Sequence, residues 1–144
     1  TAPLPLRSIR YLPAFDETRG FGVVAWSPDG TRLVGGLFSP TTFEEGVVVY
    51  SLVTSKYERV TGSGYPVAWF PDGRRVLYRD KNRLMTVDVE TKNAQPVLDN
   101  LGVGAGSLAL ARDGRTLLAV RSDNQADIWM LGAPETIADT PSGH

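Results

Sequence analysis

The sequence has no cysteine and one histidine, His144, at its last position. The lack of cysteine excludes disulfide bonds, thiolate metal sites and cysteine nucleophiles from these 144 residues. With a single histidine at one end, we expect neither a histidine-dependent catalytic triad nor a metal site built from several histidines. We therefore expect a chain that is not an enzyme by itself and that holds no cofactor or metal.

An excess of charge and a long apolar run are also missing. Lysine and arginine total 15 against 16 aspartate and glutamate, a net charge of −1, whereas proteins that bind nucleic acid through its phosphates usually carry a basic excess. No segment approaches the ~18 apolar residues of a membrane helix, and residues 1–6 do not resemble a signal peptide. We expect a soluble protein, periplasmic or cytoplasmic, without a nucleic-acid partner or membrane insertion. Because the chain begins with threonine, it is expected to be a processed product or a piece of a longer protein.

Three segments of the sequence repeat one another. Ala25–Val34, Ala68–Leu77 and Ala109–Leu118 each contain an apolar run, a turn with Asp-Gly and a second apolar run. The Asp-Gly pairs are 43 and then 41 residues apart, a spacing typical of repeat architectures. The sequence therefore predicts three similar units.

The turn within each repeat has a physical signature. Proline supplies a φ near −65°, glycine takes the positive-φ position that closes the turn, and the flanking apolar runs make each unit a β-hairpin. The turn residues are Pro28, Asp29 and Gly30, then Pro71, Asp72 and Gly73, and then Asp113 and Gly114, with Arg112 in place of the third proline.

Further apolar runs follow each hairpin, and a more polar run follows the first two. Apolar residues at neighbouring positions, as in Gly46–Tyr50, place apolar side chains on both faces of each sheet. Four-stranded antiparallel sheets that are covered on both faces and arranged around an axis form a β-propeller. We predict an all-β propeller segment of about three such blades, half of a six-bladed ring. The predicted blades are about 21–60, 66–98 and 107–131, with residues 7–12 as a strand of a neighbouring blade and residues 132–144 as a C-terminal tail.

The motif Ala-Trp-Ser-Pro-Asp-Gly-x-Arg-Leu, followed by strands ending Val-Tyr-Ser-Leu or Asp-Ile-Trp-Met-Leu, resembles the WD40-like PD40 repeat of TolB-type propellers. The resemblance covers about residues 21–131, and the third copy departs from the pattern at Leu110 and Arg112. This repeat also occurs in peptidase propellers and in bacterial sensory propellers. The resemblance implies a non-catalytic module for protein or ligand binding, scaffolding or sensing. The alternative is an accessory propeller that gates a larger hydrolase, such as a prolyl-oligopeptidase-type peptidase.

Three blades are fewer than the ~4–8 of a propeller. The third repeat has no clear fourth strand, and the opening run Arg7–Leu12 is in the right phase to supply one. The partner is therefore expected to be another protein or the remaining blades of the chain's own propeller. For the isolated chain we expect a homodimer that closes a six-bladed ring.

Antiparallel connectivity places the loops between the second and third strands, and the links between blades, on one rim. Seven acidic residues fall in these loops against two basic ones, so we expect the rim to attract a cation or a basic partner. The predicted binding residues are Asp16, Arg19, Phe43, Glu44, Glu45, Tyr65, Asp80, Asp99 and Asp123. The alternative is that the acids are ordinary turn residues and that the two aromatic side chains cap the core. Trp26 and Trp69 share a repeat position and are predicted to pack between blades.

Overall fold

The computed structural model describes residues 8–42, 46–101, 105–121, 126–130 and 137–138. Its strands form three antiparallel four-stranded sheets, each made from consecutive strands, which confirms the predicted all-β architecture. Sheet 1 contains β1 (Gly20–Trp26), β2 (Arg32–Phe38), β3 (Val47–Ser51) and β4 (Lys56–Arg59); sheet 2 contains β5 (Tyr65–Trp69), β6 (Arg75–Asp80), β7 (Arg83–Asp88) and β8 (Ala94–Leu98); sheet 3 contains β9 (Ala105–Leu110), β10 (Thr116–Arg121), β11 (Ala126–Met130) and β12 (Ile137–Ala138). Among these described residues, no helix is long and apolar enough to cross a membrane.

The three Asp-Gly turns have the same hydrogen bonds. The N–H of Gly30 donates to the carbonyl of Ser27 at 2.9 Å, and those of Gly73 and Gly114 donate to the equivalent carbonyls at 3.0 Å. The φ values of the three glycines are 76°, 67° and 70°, in the left-handed region that glycine occupies at little steric cost. The third turn keeps this geometry with Arg112 where the other two have proline.

The sheets stack through two apolar layers. Neighbouring residues on one strand point into different layers: Val76 lies between sheets 1 and 2, and Leu77 lies between sheets 2 and 3. This alternation explains why strands of sheet 2 are apolar at successive positions. The first layer contains Val34, Val47, Val49, Val60, Trp69, Val76, Tyr78, Val87 and Val89, and the second contains Phe70, Leu77, Leu84, Leu101 and Leu117. The first strands of the sheets, β1, β5 and β9, lie side by side at what we call the inner edge.

The segment predicted as an opening strand, residues 7–12, forms no strand over its described part. Residues 8–15, which we call the N-terminal strap, lie across the face of sheet 1 that points away from sheet 2, where Leu12 lines two cavities. Tyr57 of β4 holds the strap by donating a 2.6 Å hydrogen bond to the carbonyl of Pro13. The strap lies over a sheet face rather than along a sheet edge, so its main chain has no ladder partner there.

Sheet 3 has a fourth strand within the segment predicted to be a tail. Ile137 and Ala138 pair with Trp129 and Ile128 of β11. A two-residue strand is too short to show an alternating pattern in the sequence, and its pairing with β11 defines it. It also occupies the outer edge where residues 7–12 of a second copy were expected to pair.

Trp26 and Trp69 have different environments although they share a repeat position. Trp69 is 8% exposed because it lies between sheets 1 and 2, whereas Trp26 is 61% exposed. Within one chain the prediction that both pack between blades holds for Trp69 and not for Trp26, which lies on the open side of sheet 1.

Candidate functional site

Antiparallel pairing brings the predicted rim loops to one end of the sheets, which we call the link rim. The hydroxyl of Ser63, in the link between β4 and β5, donates to the carboxylate of Asp80 at 2.8 Å. The amide of Asn82 donates to the side-chain oxygen of Asn100 in the link between β8 and β9. These bonds connect the turn between β6 and β7 with both links between sheets.

Asp16 and Arg19 form a closed local structure on the link rim. Oδ1 of Asp16 accepts the backbone N–H groups of Thr18 at 2.9 Å and of Arg19 at 2.7 Å, and Nη2 of Arg19 lies 2.7 Å from Oδ2. The hydrogen bond from Thr18, assisted by the side chain and N–H of Arg19, lowers the pKa of Asp16 to about 2. The guanidinium also lies 5.0 Å from the ring centroid of Phe15. Asp16 is therefore ionised at neutral pH, with its charge paired inside its own turn.

The other predicted rim residues are separate from this turn. Asp80 ends β6 and accepts the hydrogen bond from Ser63, and Asp99 follows β8 with its carboxylate 3.9 Å from Nε of Arg83. The Asp99 side chain is 85% exposed. The predicted residues Phe43, Glu44, Glu45 and Asp123 lie outside the described residues. Binding of a basic partner to this rim stays a prediction.

Basic side chains that belong to strands also reach the link rim. Arg59, at the end of β4, donates to the carbonyls of Thr61 and Gly62. Nε of Arg79 in β6 donates to the carbonyl of Lys81 at 3.1 Å. Together with Arg83, these side chains place guanidinium groups among the rim carboxylates. In its described part the rim therefore has mixed charge, which the loop residues taken alone do not indicate.

Tyr65, predicted to be a loop residue, is the first residue of β5 and packs against sheet 1. Its ring lies over Gly36, where a Cβ atom would overlap it, and its hydroxyl would be 2.9 Å from a Cβ at Gly22. The missing side chains of these two glycines provide the space for the ring. Tyr65 therefore fills part of the contact between sheets and does not project as an exposed anchor.

A cavity of about 470 Å³ lies along the inner edge of the three sheets. We call it the inner cavity. Its apolar wall consists of Val24, Val67 and Leu108, which occupy the same position in the three repeats. Val24 and Val67 are extra residues at register shifts in β1 and β5, and such bulges re-aim a side chain away from the regular pattern. The other lining residues are Tyr65, Pro66, Arg79, Gly106 and Ser107.

Among the described lining residues of the inner cavity, Arg79 carries a charge. Nη1 donates to the carbonyl of Gly106 in sheet 3 at 3.0 Å, and Nε donates to the carbonyl of Lys81. A guanidinium has five N–H donors, so these two bonds leave donors for a carboxylate or carbonyl group of a ligand. No local pattern in the sequence indicates this cavity, because its wall comes from three residues that are distant in sequence.

The chemistry of the inner cavity is limited to these groups. None of its described lining residues is a carboxylate or a histidine, so nothing in this wall is a general base for Ser107. In the part of the chain that the structure describes, no cluster of three or more histidine, aspartate or glutamate side chains is arranged to hold a metal ion. The arrangement is suited to binding.

No protein-family model matches the chain, and no curated protein matches it in sequence. Solved structures do match it. A protein described as TolB from Agrobacterium tumefaciens superposes with a TM-score of 0.63 at 15% identity, covering 81% of this chain and 47% of that one. The β-propeller domain of the Trilobed protease from Pyrococcus furiosus gives a TM-score of 0.58 at 18% identity, covering 85% of this chain and 42% of that one. A prolyl endopeptidase structure gives 0.60 at 18% identity, covering 80% of this chain and 21% of that one.

The fold is part of a β-propeller. Each four-stranded sheet is a blade, and the inner edge corresponds to the strands nearest the propeller axis. The chain spans about half the length of the TolB structure and of the Trilobed protease propeller. These likenesses show the propeller fold, and the inner cavity lies where the first strands of the three blades converge.

Proposed function

We propose that this chain is a non-catalytic β-propeller module that binds a peptide or a segment of another protein at the inner cavity. The observation that carries the proposal is the combination of an apolar wall, formed by Val24, Val67 and Leu108, with the guanidinium of Arg79. Concave, mostly apolar sites with a few oriented polar groups are the usual form of ligand sites. The absence of a carboxylate or histidine among the described lining residues supports binding without catalysis.

The same chemistry defines the ligand class. An apolar side chain would lie against the valines, and a carboxylate or main-chain carbonyl would accept hydrogen bonds from Arg79. Ser107 adds a hydroxyl group to the cavity lining, and Tyr65 adds an aromatic side chain. An extended peptide with an apolar residue next to a carboxylate meets these requirements.

Peptide selection followed by titration tests the proposal. Peptides would be selected from a random library on the full chain, and their affinities would be measured by fluorescence anisotropy. Val67→Arg fills the apolar wall and is expected to weaken binding about tenfold or more, because a charge then occupies an apolar surface. The control is Val53→Arg, in the turn after β3, where the side chain is 77% exposed and far from the lining residues. Selected peptides that bind the Val67→Arg variant as tightly as the wild type would contradict the proposal.

A second candidate is an accessory propeller that gates the active site of a larger hydrolase. The likeness to the Trilobed protease and prolyl endopeptidase propellers favours it, and the chain covers less than half of each of those chains. The two candidates differ in what surrounds this chain in its gene. A flanking domain with a Gly-x-Ser-x-Gly nucleophile turn supports the hydrolase, whereas a flanking sensory or DNA-binding domain supports the binding module.

A further inference from the structure

Sheet 2 packs on sheet 1 through a set of apolar residues. The equivalent residues of sheet 1 lie on its open face, the face that points away from sheet 2. Trp69, Val76 and Val89 of sheet 2 are at most 8% exposed because they lie in the layer against sheet 1. The equivalent residues of sheet 1, one repeat earlier, include Trp26, Leu33 and Leu52. With Val23, these residues line a cavity of about 390 Å³ under the N-terminal strap. We call them the acceptor face, on which Trp26 is 61% and Val23 is 50% exposed.

The opposite end of the stack carries the complementary surface. Val34 of sheet 1 and Leu77 of sheet 2 are equivalent, and each is fully buried against the next sheet. The next equivalent residue is Leu118 of sheet 3, which is 49% exposed, and its neighbour on the same side, Val120, is 56% exposed. We call Leu118 and Val120 the donor face. The donor face is equivalent to the surface of sheet 1 that packs on sheet 2 and to the surface of sheet 2 that packs on sheet 3.

We propose that the donor face of one copy packs on the acceptor face of a second copy, and that the reciprocal contact closes a ring of six sheets. The new contact continues the sheet-to-sheet contact that the chain already makes twice. The chain covers 42% of the Trilobed protease propeller domain, so two copies have approximately the sheets of one such propeller. A head-to-tail contact that is repeated by a two-fold axis gives a closed dimer. This assembly does not depend on the ligand proposed for the inner cavity.

The Asp-Gly turns lie at the end opposite the link rim. Their contacts indicate the same alignment of one sheet on the next. Cδ of Pro28 is 3.8 Å from a Cβ position on Gly73, and Cδ of Pro71 is 2.9 Å from a Cβ position on Gly114. Each turn thus meets the glycine of the next repeat. Gly30 has no such neighbour within 4 Å. In the closed dimer, Arg112 of one copy would occupy the proline position beside Gly30 of the other.

The N-terminal strap covers the acceptor face unevenly, since Leu33 is 5% exposed while Trp26 and Val23 stay open. Ile9 and Tyr11 are 73% and 89% exposed, and the 390 Å³ cavity remains between the strap and the sheet. An incoming blade fills that cavity better than the strap does, since apolar side chains of the donor face would replace empty space. We therefore expect residues 8–12 to leave the acceptor face when the ring closes.

Light scattering coupled to size-exclusion chromatography tests the assembly on the full chain. The wild type is expected at twice the chain mass of 15.6 kDa at about 100 µM. Trp26→Glu and Leu118→Glu each alter both contacts of the dimer, and each is expected to raise the dissociation constant about 100-fold or more. Val97→Glu, on the outer strand β8 of the middle sheet where Val97 is 38% exposed, is the control and is expected to leave the dimer intact. Because the substituted side chains are exposed in the single chain, each variant is expected to fold. Circular dichroism checks that it does.

Mixing the two variants separates the closed head-to-tail dimer from other assemblies. A mixture of Trp26→Glu and Leu118→Glu chains forms a heterodimer with one unaltered contact, so association should be partly restored. A wild type that is monomeric, or that forms an open series of higher oligomers, overturns the proposal. So does a dimer that Trp26→Glu disrupts and Leu118→Glu does not, because that pattern indicates two acceptor faces packed on each other.

Disulfide cross-linking tests the same contact without the glutamate substitutions, so it can be applied even if a glutamate variant does not fold. The chain has no cysteine, so Arg112→Cys and Thr31→Cys chains can be mixed and oxidised without competing thiols. A disulfide-linked heterodimer is expected, because residue 112 of one copy lies beside residues 30 and 31 of the other. Arg112→Cys mixed with Asp99→Cys is the control pair and should remain unlinked, because Asp99 lies on the link rim at the opposite end of the sheets with its side chain 85% exposed. Equal linkage in both mixtures, or linkage in neither, overturns the proposed register.

Discussion

The guanidinium of Arg32 donates a 2.7 Å hydrogen bond to the main-chain carbonyl of Gly73, 41 residues further along the chain. The same group lies 5.1 Å from the ring centroid of Trp69 and 3.4 Å from the carboxylate of Glu90. One side chain of the first repeat thus contacts a turn, a buried aromatic ring and an acidic residue of the second. This contact holds the two sheets in register beyond what apolar packing alone specifies.

Replacing Arg32 with alanine is expected to lower the free energy of unfolding by about 1.5–3 kcal/mol, because a charged donor to a main-chain carbonyl is lost together with its contact to Trp69. Urea denaturation measures the change. The matched control is Arg75→Ala. Arg75 has the same repeat position and lies 4.8 Å from the ring centroid of Phe70, but it is 53% exposed and bonds to Asp72 within its own turn, so its loss should cost less, about 1 kcal/mol. Equal losses for the two variants would contradict a special role for Arg32.

Gly36 is expected to tolerate no side chain. Because a Cβ atom there would overlap the ring of Tyr65, Gly36→Ala should lower the free energy of unfolding by about 1–3 kcal/mol. Adding Tyr65→Ala makes room for the new methyl group, so the two substitutions together should cost less than the sum of the single ones. Gly62→Ala is the control, since a Cβ there meets no atom within 4 Å. Simple additivity in the urea experiment would show that the ring does not restrict residue 36.

Asp29 is expected to make stability depend on pH in the acid range. Its Oδ1 atom accepts hydrogen bonds from the hydroxyl of Ser27 at 2.7 Å and from the N–H and hydroxyl of Thr31 at 3.0 and 2.8 Å. These bonds, the one from Ser27 foremost, lower the pKa of Asp29 to about 2. A pKa that is lower in the folded state than in the unfolded chain gives stability that is complete above about pH 4 and is lost as the pH falls towards about 2.

Thermal unfolding at several pH values between about 2 and 5 measures this effect. Asp29→Asn should lose fewer degrees of Tm than the wild type over that range, and Ser27→Ala should lose an intermediate number. Part of the pH dependence should remain in both variants, because the pKa of Asp16 is also lowered to about 2. Identical pH profiles for Asp29→Asn and the wild type would exclude Asp29 as a source.

Removing residues 1–12 is expected to strengthen self-association. The strap covers part of the acceptor face, and its removal abolishes the cost of displacing it. We expect the dissociation constant to fall at least about threefold in sedimentation or light-scattering measurements. Weaker association of the shortened chain would mean that the strap contributes to the contact between copies.

Local signals in the sequence were sufficient to predict the repeats and their strands. The Asp-Gly turns and the apolar runs act over a few residues, and the strands they predict agree with the structure to within one or two residues, as for Val47–Ser51. The prediction of three stacked sheets follows from the same pattern, because residues such as Val76 and Leu77 must be covered on both sides.

Contacts between distant segments were not predictable in the same way. The alternation in residues 7–12 is compatible with a strand, but whether it becomes one depends on a free sheet edge. Trp26 shows the same limit, because its burial depends on a neighbouring sheet rather than on its own repeat. Nothing local in the sequence indicates that Arg79 reaches the carbonyl of Gly106 in the next sheet.

The apolar wall of the inner cavity has one residue from each repeat. This distribution determines which copies of the chain could bind a ligand of the wall. A chain without its last sheet would lack Leu108 and therefore the complete wall. A ligand of this wall would then ignore truncated copies and bind intact ones. Its binding energy would also couple the three repeats, so that they unfold together rather than one after another.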